Sequence, residues 1–189
     1  MKKILVHSCC APCTTATLEK IKKDRPGQSI SVFYYNPNIS PAEEEERRFS
    51  ELETYLLRRY GPEIELIRGK YDNGSWNSLV EPLELSGEGG LRCKICYYLR
   101  LLETFRVAEK RGMDLVTTTL SISPYKNFEW LDEIGRLLSK KTGIGWFLDK
   151  WDYKRSLEIS KEYGLYRQKY CGCEFSMRER LSRSERKDS

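Results

Sequence analysis

The stretch MKKILVHSCCAPCTTATLEKIKK (residues 1–23) changes its period half-way along. Residues 1–7 form an apolar run, read as a short buried strand, and end in the chain's single histidine. From residue 11 to about 23 the spacing turns helical, with Pro12 in the first turn, where its missing amide donor is tolerated. Three cysteines, Cys9, Cys10 and Cys13, fall at the junction. A structural cysteine is usually single and buried, so three together call for a chemical reason.

The same alternation continues outward. SISVFYY (29–35) reads as a second strand, closed by Asn36-Pro37-Asn38, and Ser40 is placed to cap a long helix. Glu43 to Glu46 sit early in that helix, where its dipole favours them, and Gly61-Pro62 stops it near residue 60. EIELIRG (63–69) alternates as a third strand, and a short helix over 76–83 precedes the loop SGEGG (86–90). Residues 92–111 carry Ile95, Leu99, Leu102 and Phe105 at helical spacing. LVTTTLSI (115–122) reads as a fourth strand and GWFLD (145–149) as a fifth, with helices over 127–141 and 153–163. This pattern predicts an α/β fold: a Rossmann-like parallel sheet of about five strands flanked by helices. One catalytic domain is expected over residues 1–177, with a basic C-terminal tail over 178–189. Sites in such sheets lie beyond the carboxyl ends of the strands. Cys9, Cys10, Asn36, Asp72 and Ser121 to Ser123 all follow predicted strands and are expected to share that rim.

Of 189 residues, 39% are hydrophobic and 12% aromatic, enough for a core. No apolar run approaches the roughly 20 residues that span a bilayer. MKKILV is too short for a secretory signal, so the expected location is cytoplasmic, with no membrane partner. In that compartment seven cysteines argue against a disulfide framework and for metal or redox work. The net charge of +5 is mild, and the tail MRERLSRSERKDS holds five basic and three acidic residues. A tRNA-sized polyanion is compatible with this charge without being demonstrated by it.

The other cysteines are Cys93 and Cys96, one turn apart at a predicted helix start, and the pair Cys171-Gly172-Cys173. Thiolates at a helix N-terminus are stabilised by the dipole and become better ligands and nucleophiles. Four thiolates from two strand–helix junctions suit zinc or an iron–sulfur cluster. Zinc knuckles usually pair across a short loop, whereas Cys13 and Cys93 lie 80 positions apart. Thiol-only redox chemistry and purely structural cysteines also remain open. Cys10-Ala11-Pro12-Cys13 resembles a thioredoxin-type dithiol, although Cys9 and the distant CxxC are surplus to that mechanism. HSCCAPC contains no glycine, which excludes a phosphate-binding loop there. A disulfide between Cys171 and Cys173 would close a small strained ring of the labile, redox-active kind.

Other candidates carry plain alternatives. His7 reads as a core histidine or as an acid or ligand. Asp72, Glu81, Glu84 and Glu88 read as surface acids, or one of them as a metal ligand or proton donor. TTTLSISPYKN (117–127) offers hydroxyls, Lys126 and Asn127 to a ribose or phosphate, or merely caps a helix. Tyr166-Arg167-Gln168 offers an aromatic and a guanidinium for stacking on a base, or an ordinary surface patch.

Taken in order, HSCCAPC, YYNPNISP with its acidic stretch and Arg47-Arg48, GLRCKICYYLRL, TTTLSISPYKN and LYRQKYCGCEFS resemble the epoxyqueuosine reductase QueH family. The likeness runs from about residue 4 to 177 and takes in all seven cysteines. It implies reduction of the epoxide of epoxyqueuosine in the tRNA anticodon loop, the last step of queuosine synthesis, without cobalamin. It implies a [4Fe–4S] cluster at Cys9, Cys10, Cys93 and Cys96, and a redox-active disulfide at Cys171–Cys173. On that reading Cys13, Asp72 or Glu88 tunes or completes the site, and an additional iron or zinc ion is compatible with it. Arg92, Lys126 and Arg167, close to matched cysteines, become the expected tRNA contacts, and an electron donor is a required partner. The rivals are a thiol–disulfide oxidoreductase using Cys10 and Cys13, and a zinc-stabilised nucleic-acid-binding module without catalysis.

Overall fold

The structure, a computed structural model, describes residues 1–185. Five strands form one parallel sheet in the order β3-β2-β1-β4-β5: β1 (Lys3–Ser8), β2 (Ser29–Tyr34), β3 (Glu65–Arg68), β4 (Leu115–Thr118) and β5 (Gly145–Trp146). Central β1 pairs with β2 from Lys3↔Ser29 to Ser8↔Tyr34, and with β4 from Ile4↔Leu115 to His7↔Thr118. Being covered on both faces, β1 and β2 are buried from their second residue onward, while edge strand β3 is not.

The pleat sorts the core into two layers. Ile4 and Val6 face Leu18, Ile21, Leu52, Tyr55 and Ile159, which come from α1 (Ala11–Asp24), α2 (Ala42–Tyr60) and α6 (Tyr153–Glu162). Leu5 faces the opposite way onto Leu101, Phe105, Leu131 and Leu138, from α4 (Leu91–Lys110) and α5 (Phe128–Thr142). A third, smaller cluster joins Trp76 and Val80 of α3 (Asn73–Val80) to Cys96, Cys173 and Phe175, the last on α7 (Glu174–Glu185). The chain winds outward from β1 through β2 to β3, then crosses back to β4 and β5. The crevice beyond the carboxyl ends of β1 and β4 is therefore the point where the winding reverses, which is where such sheets hold their sites.

Four local features differ from expectation. Helix α2 is entered from Pro41 with no side-chain cap, and the Ser40 amide donates to the Gly172 carbonyl at 2.8 Å. Strand β4 stops at Thr118, where the backbone turns helical at Thr119 although β1 runs one residue further to Ser8; residues Leu120–Ile122 form a short helical turn. Strand β5 has two residues only. Helix α7 runs across the boundary expected at residue 177, and Glu179 beyond it ion-pairs with Arg92 at 2.8 Å. The last four residues of the expected tail, 186–189, lie outside the described residues.

Candidate active site

β1 delivers Cys9 and Cys10 to the crevice, and Cys10, in extended backbone, begins α1, so that Cys13 follows within the first turn. The three sulfurs all lie within 4.8 Å of one another, with Cys9 and Cys10 at 3.8 Å. Thr119, just past β4, donates its hydroxyl to Cys9 Sγ at 3.3 Å and accepts the Cys9 amide at 3.2 Å. The Cys10 and Cys13 thiols, with Arg100 and Thr119, hold the Cys9 thiol well below its ordinary value despite burial. That charge keeps protons on its neighbours. Cys10, although Cys13 donates to it, is pushed up to about 12 by Cys9 and burial, and Cys13 is raised by both neighbours.

A second group forms opposite. The turn entering α4 needs Gly90, because a Cβ there would lie 2.0 Å from the Ser86 carbonyl oxygen. Cys93 Sγ accepts the Gly89 amide at 3.3 Å, and Cys96 follows one turn on. The Cys171–Cys173 segment closes over this helix start. Gly172 has φ +122°, and a Cβ on it would meet Arg48 and Ile39 at 3.0 Å, so only glycine brings the two thiols this close to the core. Arg48 donates to the Cys171 carbonyl at 3.2 Å, and Cys173 Sγ accepts the Ser176 amide at 3.4 Å. Cys93, Cys96, Cys171 and Cys173 line one cavity of about 10 Å³, roughly one water's worth. Burial raises Cys93 and Cys173 and pushes Cys96 up to about 12.

Cys171, Arg100 and Lys126 line both this cavity and a larger, open one of about 390 Å³ that has Cys9 and Cys13 in its wall. Arg100 is 2% exposed, hydrogen-bonds Asn36 Oδ1 and faces Cys96, Cys9 and Cys171. Its Nε lies 3.4 Å from His7 Nε2. Burial and this guanidinium hold the His7 imidazole down to about 3, so it is neutral and spans Thr118 Oγ1 at 2.8 Å and the Tyr35 carbonyl at 3.1 Å. His7 is thus the core residue of the two sequence alternatives.

The expected contacts divide. Arg167 lines the open cavity, its guanidinium 5.7 Å from the Tyr153 ring centre. Lys126 does too, but from within: its side chain is 9% exposed and Nζ donates to Cys171 Sγ at 2.8 Å, with Glu88 at 3.9 Å. Arg92 is 1% exposed and spent on Glu179 and the Glu84 carbonyl, which leaves it no face for RNA. Asp72 caps α3 instead, accepting the Ser75 amide at 3.1 Å and hydroxyl at 2.9 Å. Arg100 and Tyr125 were not anticipated, and the Thr119 hydroxyl, within the stretch offered to a ribose or phosphate, bonds Cys9. Arg100 had a signal: it lies four residues after Cys96, on the face of α4 that carries the thiols.

A family model described as epoxyqueuosine reductase QueH matches residues 4–179. The chain belongs to the QueH family. Its QueH relatives include epoxyqueuosine reductase QueH of Thermotoga maritima, 35% identical over 95% of this chain and 93% of the relative. The QueH of Staphylococcus aureus is 34% identical over 92% of this chain and 75% of its own length. That of Acinetobacter baylyi is 34% identical over 94% and 81%. A solved structure, the zinc inhibited form of teicoplanin deacetylase Orf2, aligns with TM-score 0.42 and 12% identity over 77% of this chain and 66% of that one. That likeness is too distant to bear on the chemistry of this QueH site. Among the described residues no helix is long and apolar enough to cross a membrane.

Proposed function

We propose that the chain reduces the epoxide of epoxyqueuosine within a tRNA anticodon loop to the alkene of queuosine, in the cytoplasm and without cobalamin. The observation that carries this reading is an open cavity of about 390 Å³, walled by Cys9, Cys13 and Cys171, at the switch point of a QueH chain. The donor set suits a [4Fe–4S] cluster: thiols from two junctions border two cavities that share Arg100, Lys126 and Cys171 in their walls, and the buried cations Arg100 and Lys126 complement an anionic group. Cys9, Cys10, Cys93 and Cys96 would hold it. Arg100 faces Cys9 and Cys96, one thiol of each pair, as well as Cys171. Cys13, in the trio with Cys9 and Cys10, offers a ligand to an additional iron or zinc ion. A cluster held by these cysteines would supply electrons singly and provide Lewis-acid chemistry toward the epoxide oxygen.

The chain's own groups balance the rest. Turning an epoxide into an alkene and water takes two electrons and two protons. Oxidising the Cys171 and Cys173 thiols to a disulfide releases two of each, and an external electron donor restores the dithiol. The Lys126 ammonium, 2.8 Å from Cys171 Sγ and 3.9 Å from Glu88, holds a proton at the cavity wall. Tyr125, Tyr153, Arg167 and Lys169, on the cavity lining, receive the RNA by stacking and by phosphate contact.

The test is to purify the chain anaerobically, quantify iron, sulfide and zinc, and incubate it with epoxyqueuosine tRNA and a chemical reductant. Nucleoside mass spectrometry should show loss of one oxygen, with about four irons and four sulfides per chain. Cys93→Ala is expected to lose iron and turnover together. Cys173→Ser should keep its iron and visible colour while turnover falls by about tenfold or more. An active Cys93→Ala protein with full iron would sink the ligand assignment, and a fully active Cys173→Ser protein the dithiol step.

A further inference from the structure

Three arginines are buried among the described residues, and they are not equivalent. Arg48 Nε donates to Glu44 at 2.7 Å, and Arg92 Nη2 to Glu179 at 2.8 Å. Arg100 is as deeply buried, 2% exposed against 2% and 1%, yet among the described residues it has no carboxylate within ion-pair distance. Its acceptor Asn36 Oδ1 is uncharged, the Cys96 thiol it also meets is held protonated by burial, and the His7 ring beside its Nε is neutral. A guanidinium cannot shed its proton, and an uncompensated ion in a protein interior is strongly disfavoured. What Arg100 does face is sulfur: Cys96, Cys9 and Cys171, from three separate segments.

We propose that Arg100 is the counter-charge of the thiolate site, and that its fixed positive charge raises the reduction potential of the group bound there. This rests on the reading that the site holds an iron–sulfur cluster. A cluster gains negative charge on reduction, so a cation buried beside it favours the reduced form, and the low local dielectric strengthens the effect. Asn36 Oδ1 accepts from the guanidinium and holds it in place. The Asn36 amide in turn donates to the Ser8 carbonyl at 3.0 Å, immediately before Cys9. Arg100 acts through the cluster and has no part in the chemistry at the epoxide.

The experiment is a spectroscopic redox titration of anaerobically purified, iron-quantified protein. Arg100→Gln removes the charge while keeping an amide donor for Asn36. Asn36→Asp keeps Arg100 and nearly the same shape, but supplies the missing carboxylate. Arg100→Lys keeps the charge. With iron and sulfide retained, the first two are expected to shift the one-electron equilibrium toward the oxidised form by tenfold or more, about 59 mV more negative. The lysine variant should shift by less than half of that. If Arg100→Gln does not fold, Asn36→Asp carries the test, since a purely structural role for Arg100 leaves its potential unmoved. Loaded Arg100→Gln or Asn36→Asp protein with the wild-type potential overturns this inference alone. A wild type that takes up no iron and sulfide on reconstitution overturns the cluster reading together with it.

Discussion

At pH 5 a histidine in an unfolded chain is mostly charged, but His7 stays neutral between Thr118 and Tyr35. Its folded value of about 3 lies below the ordinary 6.5, so between these limits the unfolded chain binds a proton that the folded chain refuses. Stability from this residue is therefore complete above about pH 6.5 and is lost as pH falls toward 3, at up to about 1.4 kcal/mol per pH unit. His7→Gln keeps hydrogen-bonding capacity and removes the titration. Between pH 6 and 4, wild-type urea unfolding free energy should fall about 1 kcal/mol per unit more steeply than that of the variant. Parallel slopes would mean that His7 is charged in the native protein. The residue scale was also where sequence reading was most uneven. Cysteines announce themselves by rarity and spacing, and both clusters lie where they were expected. Arg92, Lys126 and Asp72 were chosen for nearness in sequence to cysteines or strand ends. Nearness along the chain does not reveal that Arg92 points inward to Glu179, or that Asp72 is used up by Ser75.

Helices and strands were more legible, because their signals repeat over several turns. The elements that read differently do so at their ends, where a few tertiary bonds outweigh propensity: β4 gives way to a helical turn at Thr119, whose hydroxyl takes the Cys9 amide, and α7 is held by Arg92 and by Phe175 against Trp76. Gly135 shows the same contest within one residue. In mid-helix α5 it reads as a defect, and alanine would gain about 1 kcal/mol in propensity. A Cβ there, however, would lie 2.0 Å from Trp146 Cε2, and the indole is fixed by its Nε1–H donated to Asp132 Oδ1 at 3.0 Å. Overpacking of this kind costs about 1–3 kcal/mol, and here the ring has to move by more than its hydrogen bond allows, so the clash should win. Gly135→Ala is expected to lower the melting temperature by about 2–4 °C. A higher melting temperature would show that the α5–β5 contact yields easily.

For the whole molecule, the order β3-β2-β1-β4-β5 decides where chemistry can happen, since it opens a crevice at the ends of β1 and β4. That much followed from alternating strands and helices. What the sequence does not display is the cavity mouth, because its residues come from three distant segments: Tyr125 after β4, Tyr153 at the start of α6, and Arg167 and Lys169 before the CxC. A net charge of +5 is too small for RNA to be held by the overall field, so binding has to be concentrated there. Tyr125 is 77% exposed, an aromatic ring offered to solvent beside exposed Lys169 at the rim of a cavity with thiols in its wall. Stacking on a base is worth about 1–3 kcal/mol, so Tyr125→Ala should weaken binding of an anticodon stem-loop by about fivefold to a hundredfold with iron content unchanged. Lys169→Ala should act differently, lowering the slope of log affinity against log salt by about 0.7–1 through one lost phosphate contact. Fluorescence anisotropy over a salt series separates the two effects. If both variants bind with the affinity and salt slope of wild type, the RNA enters by another face, and the buried thiols must be reached without this mouth.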